Sequence, residues 1–207
     1  MRRCVGIFKS ENLLTSRRLL LQAATATLAS VGMHSMLNAH SAVGLVTPPI
    51  APPPTMLQLQ DGRKTTLQEL LKDKVTALQL MFTGCSATCP IQGALFASAQ
   101  QRIAALVPAI PGAQLVSLSI DPLNDDPKAL TAWVKKFSTG SQWLAGVPVM
   151  KDLDPWLDFL QGRNPGVDRH TGQVYYFNRR GQLAMRTVDF PPAPEVVKLL
   201  QGLAALA

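Results

Sequence analysis

The chain has 207 residues, 47% apolar and 16% charged, the profile of one globular domain with a tail rather than of a disordered or fibrous protein. Its net charge of +7 overstates the basic character of the bulk: residues 1–42 hold five Lys/Arg and one Glu, leaving 15 basic against 12 acidic residues, only +3, beyond them. That balance, with no Lys/Arg stripe interleaved with aromatics, argues against nucleic acid as a partner.

Residues 1–42 read as an address. Arg17-Arg18 leads into Leu19-Leu20-Leu21 and a weakly apolar stretch to Met33, and the small residues of Ala39-His40-Ser41 and Ala42-Val43-Gly44 offer two cleavage points. The paired arginines resemble a twin-arginine signal, which a receptor reads. Export to the periplasm is expected, with an uncleaved N-terminus associated with the inner membrane as the alternative. Gln22 and His34 interrupt the apolar run, which falls short of the ~20 apolar residues of a spanning helix. Cys4, His34 and His40 belong to this segment and are set aside as ligands. Residues 43–55, rich in proline from Thr47 to Pro54, read as an extended linker unable to join a core. Residues 56–207 make the domain.

Met56–Gln60 reads as a short strand before an Asp61-Gly62 turn. Thr66-Leu67-Gln68-Glu69 is a capping box opening a helix to about Lys72. Val75–Thr83 is a mostly apolar run of strand length, expected at the centre of a sheet and buried on both faces. A helix follows from about Pro90 to Leu106, with proline tolerated in its first turn. After Pro111-Gly112 comes a strand, Leu115–Ile120, and after Asp126 a helix whose Leu130, Trp133, Val134 and Phe137 form a core face. Asp154–Gln161 reads as a short helix, Gln173–Asn178 and Gln182–Val188 as a hairpin, and Val196, Leu199, Leu200 and Leu203 stripe a last helix. Strands alternating with helices predict an α/β fold with a mixed central sheet flanked by helices. A cysteine pair at a strand-to-helix turn narrows it to a thioredoxin-like fold, with chemistry at the carboxyl end of that strand.

Beyond the export segment the chain keeps two cysteines, Cys85 and Cys89, and one histidine, His170. Two thiolates and an imidazole form a soft donor set suited to Cu(I) and able to hold Cu(II). The C-x-x-x-C spacing places the sulfurs one helical turn apart, at a helix start whose dipole favours the thiolate. Two competing readings stand beside this one. In an oxidising compartment a lone cysteine pair defaults to a structural disulfide, and a closed zinc site wants a fourth protein ligand that the chain lacks.

Three blocks carry a family resemblance. Phe82 to Pro90 matches F-T-x-C-x-x-x-C-P; Ser119, Asp121, Pro122, Asp125 and Pro127 match S-x-D-P-x-x-D-x-P; His170, Tyr175, Asn178, Gly181 and Leu183 match the third. Together, over about residues 56 to 203, they resemble the Sco/SenC family: thioredoxin-fold copper proteins that help load the dinuclear copper site of cytochrome c oxidase. The resemblance implies that Cys85, Cys89 and His170 bind a copper ion in a metallochaperone rather than an enzyme. It implies as partner cytochrome c oxidase subunit II or another exported copper acceptor. Three departures stand out: Ser86-Ala87 inside the cysteine motif, Asn178-Arg179 in the hairpin turn, and Arg169 where an Asp-His pair is usual, with Asp168 displaced by one. Asp121 and Asp125 are expected as turn and cap residues, Asp121 with a second role near the ligands. The alternative function is a thiol–disulfide oxidoreductase acting on an exported partner. Such reductases resemble C-x-x-C proteins with a proline just before the strand facing the pair, where this chain has His170 and no proline nearer than Pro165.

Overall fold

The computed structural model describes residues 43–137, 140, 142–166 and 168–206; the export segment, with Cys4, His34 and His40, lies outside the described residues. No described helix is long and apolar enough to cross a membrane.

Eight strands form one mixed sheet. Its centre is β4 (Val75–Met81), every residue of which is buried, Thr76 and Gln79 included, as its mostly apolar pattern predicts. β5 (Ala113–Ser119) and then β6 (Trp143–Pro148) lie parallel to it on one side. On the other side the hairpin β7 (Val174–Phe177) and β8 (Leu183–Arg186) runs antiparallel to it. β2 (Met56–Leu59) and β3 (Lys64–Thr66) extend the β6 side, and β1 (Gly44–Ile50) extends the β8 side, giving the order β1-β8-β7-β4-β5-β6-β2-β3. The expected thioredoxin-like α/β architecture is the one observed.

Helices cover both faces and bury two apolar layers. One layer gathers Ala77, Phe96, Trp133, Trp143, Tyr176 and Leu200 under α2 (Cys89–Ala104), α3 (Pro127–Phe137) and α5 (Ala193–Ala205). The other gathers Leu59, Leu71, Leu78, Leu118, Trp156 and Phe177 under α1 (Leu67–Leu71) and α4 (Met150–Leu160). The capping box at Thr66 forms in full: its side chain accepts from the Glu69 amide and the Glu69 carboxylate accepts from the Thr66 amide. Gly181 closes the β7–β8 turn at φ +71°, a conformation that L side chains rarely adopt, while the Asn178 side chain accepts from the amides of Arg180 and Gln182.

Four elements differ from the sequence expectation, the smallest being β3, a strand formed by pairing with β2 where none is expected. The proline-rich run is extended, but its first half is sheet rather than free spacer: Gly44 and Leu45 pair with Arg186 and Met185. Prolines are accepted there because β1 is an edge strand. The helix expected at Asp154 begins at Met150 and carries Pro155 inside it, held by the buried face of Trp156, Leu157 and Leu160. β6 went unassigned in the sequence; it is a strand because β5 and β2 pair with it on either side.

Candidate metal centre

The chain leaves β4 at Met81, crosses Phe82-Thr83-Gly84, and enters α2 with Cys89 as its first helical residue and Pro90 as its second. Cys85 is half-buried and Cys89 fully buried; both are free thiols. The Cys85 Sγ accepts the Cys89 amide at 3.4 Å, one of the donors a helix start leaves without an intrahelical partner. On its other side the Cys85 thiol donates to Asp168 Oδ1 at 3.5 Å.

His170 arrives from the segment before β7, 81 residues after Cys89, and is 2% exposed. It is pinned by a bridge to Arg163 and by the Thr171 amide donating to the Gly162 carbonyl at 2.9 Å. Its Nδ1 lies 2.8 Å from the Thr171 carbonyl. A carbonyl only accepts, so Nδ1 carries the proton and Nε2 keeps a lone pair. That Nε2 stands 3.8 Å from the Cys89 Sγ. Metal bonds of about 2.3 Å to sulfur and 2.0 Å to nitrogen, set at 120°, would separate the two donors by about 3.7 Å. The Cys89–His170 pair therefore already spans the distance that a three-coordinate ion requires.

Cys85 lies on the same turn, its sulfur 3.4 Å from the Cys89 amide nitrogen. Among the described residues no three His, Cys, Asp or Glu side chains form a ready-made cluster. To join the Cys89–His170 pair, the Cys85 thiol would give up its bond to the Asp168 carboxylate. The structure thus brings two of the three expected residues together and holds the third on the same turn.

Electrostatics correct one expectation. The helix start was expected to favour thiolates, but burial pushes the Cys89 thiol well above the ordinary range, with the neighbouring Cys85 and Asp168 adding to the rise. Burial also holds His170 below the usual imidazole value, which keeps Nε2 unprotonated. A metal ion would reverse the cysteine's preference by replacing its proton.

Asp125 is the residue whose place in the site the sequence hid. The helix cap belongs to Asp126, which accepts from the Ala129 amide at 2.7 Å. Asp125, 4% exposed, instead accepts from the Thr83 amide at 3.0 Å, from the Thr83 hydroxyl, and from the Ser119 hydroxyl at 2.5 Å. It ties the cysteine turn to the end of β5. Asp121 is a turn residue as expected, its carboxylate accepting from the Asn124 amide at 3.0 Å, and it also pairs with Arg169 at 3.6 Å. The Arg169 guanidinium lies 4.9 Å from the centre of the Phe82 ring, and that ring meets His170 edge-on at 6.1 Å. Arg169 has φ +60°, so the backbone turns sharply between Asp168 and His170. That turn sends Asp168 to one cysteine and His170 to the other.

A profile described as SCO1/SenC matches residues 54–203. A SCO1 protein homolog from Bacillus subtilis is 35% identical over 109 residues, which cover 53% of this chain and 48% of that protein, so the match spans about half the length of that relative. A crystal structure of a SCO1/SenC family lipoprotein from Bacillus anthracis superposes with a TM-score of 0.63 at 23% identity, covering 76% of this chain and 96% of that one. Yeast Sco1 with copper bound superposes with a TM-score of 0.65 at 16% identity, covering 77% and 91%. The structural likenesses establish the fold. The profile match, spanning most of the chain and all three motif blocks, shows that the chain belongs to the SCO1/SenC family.

Proposed function

We propose that this protein is a periplasmic copper metallochaperone that takes up copper through Cys85, Cys89 and His170 and delivers it to the dinuclear copper site of cytochrome c oxidase. The observation that carries the reading is the Cys89–His170 pair, 3.8 Å apart with the imidazole lone pair facing the sulfur. Family members whose structures hold copper, from yeast and Arabidopsis thaliana, support the cargo. A Sco protein described as a cytochrome c oxidase assembly protein supports the destination.

The geometry suggests the order of events. Cys85, the more exposed thiol, meets the incoming ion first and gives its proton to solvent or to Asp168. The buried Cys89 and His170 then complete a three-ligand site, with His170 held in the right tautomer by the Thr171 carbonyl. Release to an acceptor follows by ligand exchange, beginning again at Cys85. Residues 1–42 act as the export segment in this account, and residues 56–207 as the copper-binding domain.

The thiol–disulfide oxidoreductase remains the second reading, favoured by one observation: Cys85 and Cys89 are both free thiols on a single turn. Cysteine variants cannot separate the two, because both need both thiols. His170 can, since thiol exchange makes no demand on a distant imidazole. His170→Ala should impair oxidase assembly at limiting copper while sparing disulfide reduction in vitro. Added copper should partly rescue cells lacking the protein. Normal oxidase assembly at limiting copper in cells carrying only His170→Ala would overturn the copper reading.

A further inference from the structure

A large cavity lies away from the metal centre. β7 runs antiparallel to β4 with Val174 opposite Gln79 and Phe177 opposite Thr76. The β7–β8 turn therefore sits at the start of β4, whereas Cys85 follows its end. At that far end, between β1, β8 and α5, is an apolar groove of about 900 Å³, whose walls include Leu45, Met185, Leu199 and Leu203. Its volume falls in the range of small-molecule sites, which are mostly apolar with a few oriented polar groups.

The charge around the groove has one sign. Arg179, Arg180 and Lys198 line it, and among the described residues no acidic side chain does. The Arg179 guanidinium bonds the carbonyls of Asp73 and Pro111, neutral acceptors that leave its charge uncompensated. Arg180 and Lys198 form no ion pair among the described residues. Part of the wall is already turned to solvent: Leu45 is 74% and Leu206 86% exposed.

We propose that this groove binds a single-chain anionic amphiphile of the long-chain carboxylate class, with its hydrocarbon tail along β8 and α5 and its carboxylate at Arg180 and Lys198. An apolar trough supplies affinity in proportion to chain length, and the uncompensated cations select the head. A neutral amphiphile would fill the trough and leave the cations as they are. An acidic peptide would pair with the cations and leave the apolar walls wet.

Calorimetric titration of the full-length chain with octanoate, decanoate and laurate, each below its micellar concentration, tests this. One-to-one binding should tighten about fourfold per added methylene. Decanol should bind at least tenfold more weakly than decanoate. Arg180→Glu with Lys198→Glu should weaken laurate at least tenfold, and Leu203→Asp should abolish its binding. Both variants keep the parent's circular dichroism and copper stoichiometry, which separates loss of the groove from loss of the fold; Leu199→Asp is the replacement should Leu203→Asp fail that control. The proposal is overturned if laurate does not bind, if decanol binds as tightly as decanoate, or if the folded groove variants bind laurate like the parent.

Discussion

Replacing Asp125 by alanine removes the acceptor on which the cysteine turn hangs. Two hydroxyls and one amide converge on this carboxylate, which is 4% exposed. The hydroxyls of Thr83 and Ser119 can rotate toward other acceptors; the Thr83 amide cannot. Hydrogen bonds to a charged group contribute about 1.5–3 kcal/mol each, and a buried donor left alone costs about 1–3 kcal/mol. Allowing for relaxation, Asp125→Ala should lose about 2–4 kcal/mol, again from those magnitudes. In a domain of this size that lowers Tm by roughly 4–16 °C. Copper affinity should fall as well, because the turn that carries Cys85 is no longer fixed to β5. Thermal scans and copper titration against a competing chelator read the two effects. Ser119→Ala should cost about 1.5–3 kcal/mol, and should cost less in the Asp125→Ala background, where only its bond from the Asp121 amide, 2.9 Å, remains to be lost. If Asp125→Ala melted within about 2 °C of the parent, or if the two losses were additive, Asp125 would not anchor the turn.

Two other predictions concern groups outside the ligand set. Gln92, one turn after Cys89, is 1% exposed, and neither atom of its side-chain amide has a hydrogen-bond partner among the described residues. Gln92→Leu should therefore stabilise the metal-free protein by about 1–3 kcal/mol in urea unfolding; unchanged or lower stability would mean the amide is satisfied in solution. The only tyrosines, Tyr175 and Tyr176, are both buried, and burial pushes Tyr175 up to about 12 and raises Tyr176 too. A raised folded value means the unfolded chain releases these protons first, near pH 10. Their contribution is thus complete below pH 10 and is lost as pH rises from there toward 12. Phenolate absorbance should appear only together with loss of circular dichroism, and phenolate at pH 10–11 in a still-folded protein would refute the burial argument.

Features governed by local rules were legible in the sequence. The Thr66 capping box, the mostly apolar β4 and the hairpin turn at Gly181 each depend on a few adjacent residues, and each formed as read. The elements that escaped depend on partners far along the chain. Nothing in Trp143–Pro148 alternates or marks a strand until β5 and β2 lie on either side of it. Prolines at 48 and 49 argue against a strand unless the strand is known to be at an edge. The same holds at the site. Cys85, Cys89 and His170 stand out because no other Cys or His remains beyond the export segment. Asp125 looks like one more helix cap, and its 42-residue reach to Thr83 has no local signature. The approach of Asp168 to Cys85 follows from a left-handed Arg169, a conformation that non-glycine residues seldom take.

The most direct test of the account is the absorption spectrum of the reduced protein titrated with Cu(II), compared between the parent chain and His170→Ala. Two thiolates and the Nε2 of His170 should give a thiolate-to-copper charge-transfer band that saturates at one copper per chain. In His170→Ala that band should vanish while weaker Cu(I) binding persists through Cys85 and Cys89. A band of unchanged position and intensity in His170→Ala would contradict the account, because the imidazole that the fold sets 3.8 Å from Cys89 would then not be a ligand.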